Sequence, residues 1–157
     1  MEDRDKPMIS NITQTTRQPT VLWGWELPAW TRKMPESIST FEGLEAWKCA
    51  RELARLAYDF FRRDPASRDF GLRDQVQRAA VSAMTSIAEG FERLHLQEKI
   101  QFYNFARASC GEVKSLSYVM LDAGYLSRDE LAQFQDTAIH TGKLVSGLLR
   151  STEARKS

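Results

Sequence analysis

Few side chains in this sequence are grouped as a catalytic or metal centre would group them. "ERLH" sets Glu92 and His95 in an E-x-x-H pair, the spacing by which di-iron four-helix proteins present two metal ligands on one helical face. Such a centre needs a second motif and further glutamates on facing helices, yet the other histidine, His140, has Thr137 at the corresponding position. A single E-x-x-H therefore gives no grounds for a metal site. Cys110 stands beside Ser109, but no histidine is placed by sequence to activate either as a nucleophile, and a buried thiol is the simpler reading. No glycine-rich phosphate loop occurs, and no two carboxylates stand out as an acid–base couple. The expectation is a protein that is not an enzyme and uses no cofactor.

Chemistry of recognition has more to draw on. Counting 100° per residue, Arg78, Ser82, Thr85, Glu89 and Arg93 share one polar stripe, with Glu89 and Arg93 paired at i,i+4 in the favourable order. Gly90 falls at the edge of the neighbouring apolar stripe, where glycine costs about 1 kcal/mol relative to alanine in an exposed helix interior. It is understood either as admitting another backbone or as loosening the helix before its turn. Further on, Ser109 interrupts an apolar stripe with a small side chain that can bond back to a carbonyl and let two helices approach, and Glu112 sits at that stripe's edge. Tyr103, Arg107, Lys114 and Tyr118 make a mixed basic and aromatic face of the type on which bases stack and phosphates are neutralised. Subunit interfaces and solvated faces use the same residue types, so RNA, a protein partner and solvent stay open for it.

These groups must be positioned by helices. "STFE" at Ser39–Glu42 and "SRDE" at Ser127–Glu130 are both S-x-x-E capping boxes and predict two helix starts. The first helix carries Leu44, Trp47, Ala50, Ala54, Tyr58 and Phe61 along one stripe and Cys49, Leu53, Leu56 and Phe60 along a second. That arc is wider than one bundle seam needs, so part of it is expected to face another subunit. "RRDPASRDFG" breaks the pattern with proline and glycine. A second helix follows from near Leu72 through Val76, Ala79, Ala83, Ile87, Gly90 and Leu94; a third runs through Phe102, Phe105, Ala106, Ser109, Val113, Leu116 and Met120 to a glycine stop at Gly124. The fourth starts at Ser127. The fold class predicted is all-α, an antiparallel up-down four-helix bundle over residues 39–151, with an irregular tail over 1–38 and a disordered C-terminus over 152–157.

The tail holds "WGWELPAW", three of the four tryptophans, Trp23, Trp25 and Trp30, in a segment with no core of its own. It reads either as a docking motif, since exposed Trp is a binding anchor, or as the product of a start upstream of Met34. With 22 basic against 21 acidic residues the net charge is +1, without the basic excess of many dedicated nucleic-acid binders. Two cysteines without C-x-x-C or Cys/His spacing argue against zinc and against a disulfide scaffold. A reducing cytoplasm, no leader and no membrane span are expected.

Taken together, "FEGLEAW", "FGLRDQVQRAAVSAMTSIAEGFER" and "FYNFARASCGEVKSLSYVMLDAGYL" resemble the 23S rRNA-intervening sequence proteins over roughly Phe41 to Leu149. The most specific elements are QxxRAAxS at Gln75–Ser82, IAEG at Ile87–Gly90 and ARxSxxE at Ala106–Glu112. The chain departs from the family's pattern at Ser86, usually asparagine, at Ala108, usually glycine, and at Ala83-Met84, usually an Ile-Pro-like pair. The resemblance implies a left-turning up-down bundle, commonly a ring-shaped homopentamer. Similar bundles serve diversity-generating retroelements as accessory proteins that work with a reverse transcriptase and its RNA. It also puts Arg78, Ser82, Glu89, Gly90, Arg93, Ser109 and Glu112 at motif positions, and so in an expected polar network or subunit interface. The functional expectation is a non-enzymatic bacterial oligomeric scaffold or binding module, associated with RNA or a ribonucleoprotein. The alternative is an accessory subunit of such a reverse transcriptase.

Overall fold

The computed structural model describes residues 38–155, and the Trp-rich segment with Trp23, Trp25 and Trp30 lies outside the described residues. Four α-helices follow one another: α1 (Glu45–Phe60), α2 (Phe70–Glu92), α3 (Leu96–Asp122) and α4 (Arg128–Glu153). Among the described residues there is no strand. Each helix packs on its neighbours in order and α4 returns to α1, closing a four-helix bundle.

The helix ends follow local chemistry, with one correction. Ser127 and Glu130 form the expected reciprocal capping box at the start of α4. The Ser39 box does not open α1: Phe41–Gly43 form a 3-10 turn without a side-chain cap, and α1 begins after Leu44. Leu44 is buried, so the entry is fixed by an apolar anchor instead of a serine oxygen. Asp69 caps α2 by accepting from the Leu72 N–H at 3.1 Å. Gly124 ends α3 in the left-handed region at φ 74°. Its N–H donates to the Leu121 carbonyl while the Tyr125 N–H donates to that of Met120, the two bonds of a Schellman stop. At the end of α2, the Lys99 ammonium reaches over from α3 to the carbonyls of Phe91 at 2.5 Å and Gly90 at 3.3 Å, satisfying acceptors that the helix leaves open. The helical C-terminus runs past residue 151: Ser151, Thr152 and Glu153 are still in α4, and the buried Thr152 hydroxyl donates back to the Leu148 carbonyl at 2.8 Å.

The core has two clusters. One gathers Leu53, Phe60, Val76, Val113, Met120 and Phe134; the other gathers Leu44, Ile87, Tyr103, Val145 and Leu149. Small polar residues lie between and beside them, and each is satisfied: Ser82 and Ser109 share a hydrogen bond of 2.9 Å, Ser117 donates to the Lys114 carbonyl and Thr141 to that of Thr137. Most of the wide α1 arc is consumed here. Ala46, Ala50, Leu53, Ala54, Ala57 and Phe60 are buried, Trp47 packs its ring at 5.2 Å from Phe41, and of the two stripes only Tyr58 stays largely exposed.

Candidate interaction faces

Helix α3 divides the described surface of interest into two. Its buried residues, among them Tyr103, Ala106, Cys110, Val113 and Ser117, point at the core. On one flank, towards α2, lie Phe102, Phe105, Ser109, Glu112 and Val119; on the other, towards α4, lie Arg107, Gly111, Lys114 and Tyr118. The crest between them, Asn104, Ala108 and Ser115, is exposed and carries no charge.

The α2 flank gathers most of the motif residues. Ser109 bonds Ser82 across the helix pair at 2.9 Å, a partner on the neighbouring helix instead of the backbone carbonyl expected from sequence. Glu89 and Arg93 sit 3.8 Å apart and Arg78 and Asp74 3.9 Å apart, loose exposed pairs worth little to the monomer. Arg93 spreads over the Phe102 ring at 4.4 Å, and Phe102 meets Phe105 edge to face at 5.8 Å. Glu112 is exposed. A single network running through Arg78, Ser82, Glu89, Arg93, Ser109 and Glu112 is therefore not formed within one copy: the serines pair inside the bundle while the four charges face outward. Phe105 and Val119 are each 49% exposed; in the register set by Ser82 and Ser109, Phe105 lies among those charges and Val119 beyond them towards the end of α3. The apolar period places Phe105 in the core, but it lies toward the edge of that period and the α2–α3 seam closes without it.

Gly90 has a specific reason. A β-carbon there would lie 2.7 Å from Tyr103 Cε1 and 3.2 Å from Phe102 Cβ, closer than carbon atoms pack. The glycine lets the α3 aromatic ring lie against the α2 backbone. This corrects the basic and aromatic face: Tyr103 is 4% exposed and belongs to the core, not to the surface shared by Arg107, Lys114 and Tyr118. Burial pushes its phenol above the ordinary tyrosine range.

The α4 flank holds a shallow depression of about 170 Å³ lined by Arg107, Cys110, Gly111, Lys114, Ala138, Ile139 and Gly142. Arg107 and Lys114 stand on its α3 side one heptad apart, and neither has a carboxylate within ion-pair distance among the described residues. Tyr118, 49% exposed, continues the line. Cys110 at the floor is a thiol pushed up to about 12, chiefly by burial and then by Cys49 nearby, far from the thiolate that nucleophilic chemistry needs. The sequence signal for this place is Gly111 and Gly142, glycines inside helices with no turn beside them, a signal that Gly147 of α4 shares without lining the depression.

The E-x-x-H pair is separated by a helix end. Glu92 closes α2 and His95 stands at the N-cap position of α3 without a side-chain cap bond, both exposed; Leu94, expected on the apolar stripe of α2, lies past the helix end and is 90% exposed. Among the described residues no three His, Cys, Asp or Glu side chains converge to hold a metal. No described helix is long and apolar enough to cross a membrane.

A model of the 23S rRNA-intervening sequence proteins matches residues 42–147. Among solved structures, a protein of unknown function from the S23 ribosomal protein family of Bacteroides thetaiotaomicron VPI-5482 aligns with a TM-score of 0.62. It is 15% identical, and the alignment covers 66% of this chain and 97% of that one, a likeness of fold. No curated protein matches the chain.

Proposed function

The chain belongs to the 23S rRNA-intervening sequence protein family, and from that premise we propose that it is a non-enzymatic scaffold whose copies assemble through the α2–α3 flank. The observation that carries this reading is the company kept there by Phe105 and Val119. Phe105, about half exposed, lies on the same flank and at the same level as Arg78, Glu89, Arg93 and Glu112, which make only loose pairs or none within one copy, and the equally exposed Val119 extends the apolar surface beyond them along α3. Exposed large apolar side chains beside incompletely paired charges suit a protein–protein contact. A ring of five and a bacterial cytoplasm are the finer form of the proposal, the latter in keeping with Cys49 and Cys110 as free thiols. The net charge of +1 favours protein over nucleic acid as what the scaffold holds, and nothing on the described surface favours a reverse transcriptase in particular.

Native mass spectrometry at micromolar concentration tests the assembly. The wild type is expected as one closed multimer and Phe105→Glu as a folded monomer, because residue 105 is not needed to close the seam. Arg78→Ala and Glu89→Ala are expected to loosen the multimer more than Glu98→Ala. A monodisperse wild-type monomer refutes the proposal, as does a Phe105→Glu multimer of unchanged mass.

A further inference from the structure

We infer that the depression between α3 and α4 is a docking site for an acidic amphipathic helix of another protein. That helix lays an apolar side chain over Gly111 and Gly142 and sets one carboxylate against Arg107 and another against Lys114. The inference goes beyond the scaffold reading, because this flank of α3 is the one turned away from the proposed contact between copies.

The two glycines lack an internal explanation, as does Gly147 of α4, but only these two line one depression. Glycine in a helix interior is unfavourable by about 1 kcal/mol against alanine, and Gly90 shows what justifies one in this bundle: a ring packed where its β-carbon would be. At Gly111 a β-carbon would meet nothing within 4 Å, and at Gly142 it would meet only Cys110 Cβ, at the ordinary contact distance of 3.9 Å. The bundle would tolerate alanine at both. What glycine provides there is a low floor, which lets a backbone from outside come close. Ile139, 37% exposed, walls the same depression from α4 and extends its apolar surface.

The charge at the rim selects the occupant. Among the described residues Arg107 and Lys114 have no carboxylate partner, and no acidic residue lines the depression. Seven residues apart on one helix, they stand two turns or about 10.5 Å from each other along α3. Carboxylates at the same heptad separation on a helix lying alongside match that register, and a helix laid into a groove is an established recognition mode. Nucleic acid is a poorer match, since a bound strand tracks a longer run of cations and stacks on several rings, whereas this flank offers two cations and Tyr118. A second copy offering α1 is also poorer: Glu45, Glu52 and Asp59 have heptad spacing, but Lys48 and Arg55 on the same helix already hold them.

Fluorescence anisotropy on the full chain tests this with three labelled probes. The first is a capped peptide of roughly 20 residues, long enough to be helical, with glutamates one heptad apart flanking a leucine. The second is the same peptide with lysines for glutamates, and the third a uridine RNA of roughly 12 nucleotides. The acidic peptide is expected to bind at least about tenfold more tightly than either other probe. Gly111→Leu, which fills open space, is expected to lose that binding while circular dichroism and native mass stay unchanged. Arg107→Glu with Lys114→Glu is expected to exchange the preference for the lysine peptide. Equal binding of both peptides, tighter binding of the RNA, or unaltered binding by Gly111→Leu overturns the inference. A changed oligomer mass in Gly111→Leu also overturns it, by making the depression a contact between copies. A wild-type monomer that still binds the acidic peptide sinks the scaffold reading and leaves this one standing.

Discussion

Replacing Gly90 with alanine sets helix propensity against packing, and the structure says which wins. Propensity favours alanine by about 1 kcal/mol. Against that, the new methyl would lie 2.7 Å from Tyr103 Cε1 and 2.8 Å from its Cδ1, so the ring has to retreat by roughly 0.8 Å to reach a normal carbon contact. Tyr103 is 4% exposed and shares its cluster with Leu44, Ile87, Val145 and Leu149, which leaves it little room. Overpacking of this type costs about 1–3 kcal/mol, so Gly90→Ala is expected to lose about 1 kcal/mol net and, in a domain of this size, about 3–6 °C in Tm. Gly111→Ala isolates the propensity term, because its β-carbon meets nothing, and is expected to gain about 1 kcal/mol. Both are measured by urea unfolding followed by circular dichroism, at one protein concentration because assembly contributes to apparent stability. In a Tyr103→Leu background the loss at residue 90 should shrink, the sign that the two positions are coupled. If Gly90→Ala proves as stable as Gly111→Ala, the close-approach argument is wrong.

Two further outcomes follow from groups whose protonation the fold controls. Burial raises the Tyr103 phenol above its ordinary value and pushes the Cys110 thiol from 9.0 to about 12. The unfolded chain then releases those protons first, so their contribution is whole below pH 9.0 and is lost as pH climbs through the folded values. Urea midpoints from roughly pH 8 to 11 should fall, with Cys110→Ala flattening part of the slope, and a level wild-type profile would contradict the burial of both groups. At the other limit, the Ser127 N–H and then Arg63 hold the Glu130 carboxyl below its ordinary range, so its stabilisation is present above that range and disappears as pH falls through the lowered value. Ser127→Ala should cost about 1 kcal/mol at neutral pH, and Glu130→Gln should flatten the acid limb; no change in either would mean that the capping box does not hold α4.

Much of the bundle is legible in the chain because its signals are local. A serine followed three residues later by glutamate opens α4, a glycine able to take positive φ closes α3, and three-four apolar spacing marks which side of each helix is buried. The one local signal that misleads, the Ser39 box, is overridden by Leu44, whose burial fixes the chain's entry into α1. The candidate faces are less legible for the same reason. Spacing puts Arg78, Ser82, Glu89 and Arg93 on one stripe, but it cannot say that Ser82 finds Ser109 while the charges find only loose pairs.

Periodicity is written into the order of residues, and with it the number of helices, their succession and the residues that share a side of each. What each side meets is settled by helix packing, because it depends on volume contributed by another helix. Tyr103 and Arg107 differ little in angle around α3, yet one is in the core and the other at the surface, since Gly90 of α2 vacates the space that Tyr103 fills. Phe105 shares the apolar stripe with Ala106 and Ser109, yet it faces outward, since α2 and α3 close against each other without it. Gly90 and Gly111 look alike in a string of letters. Neighbouring atoms distinguish them: one glycine is filled from within the bundle, and the other is left open to whatever approaches from outside.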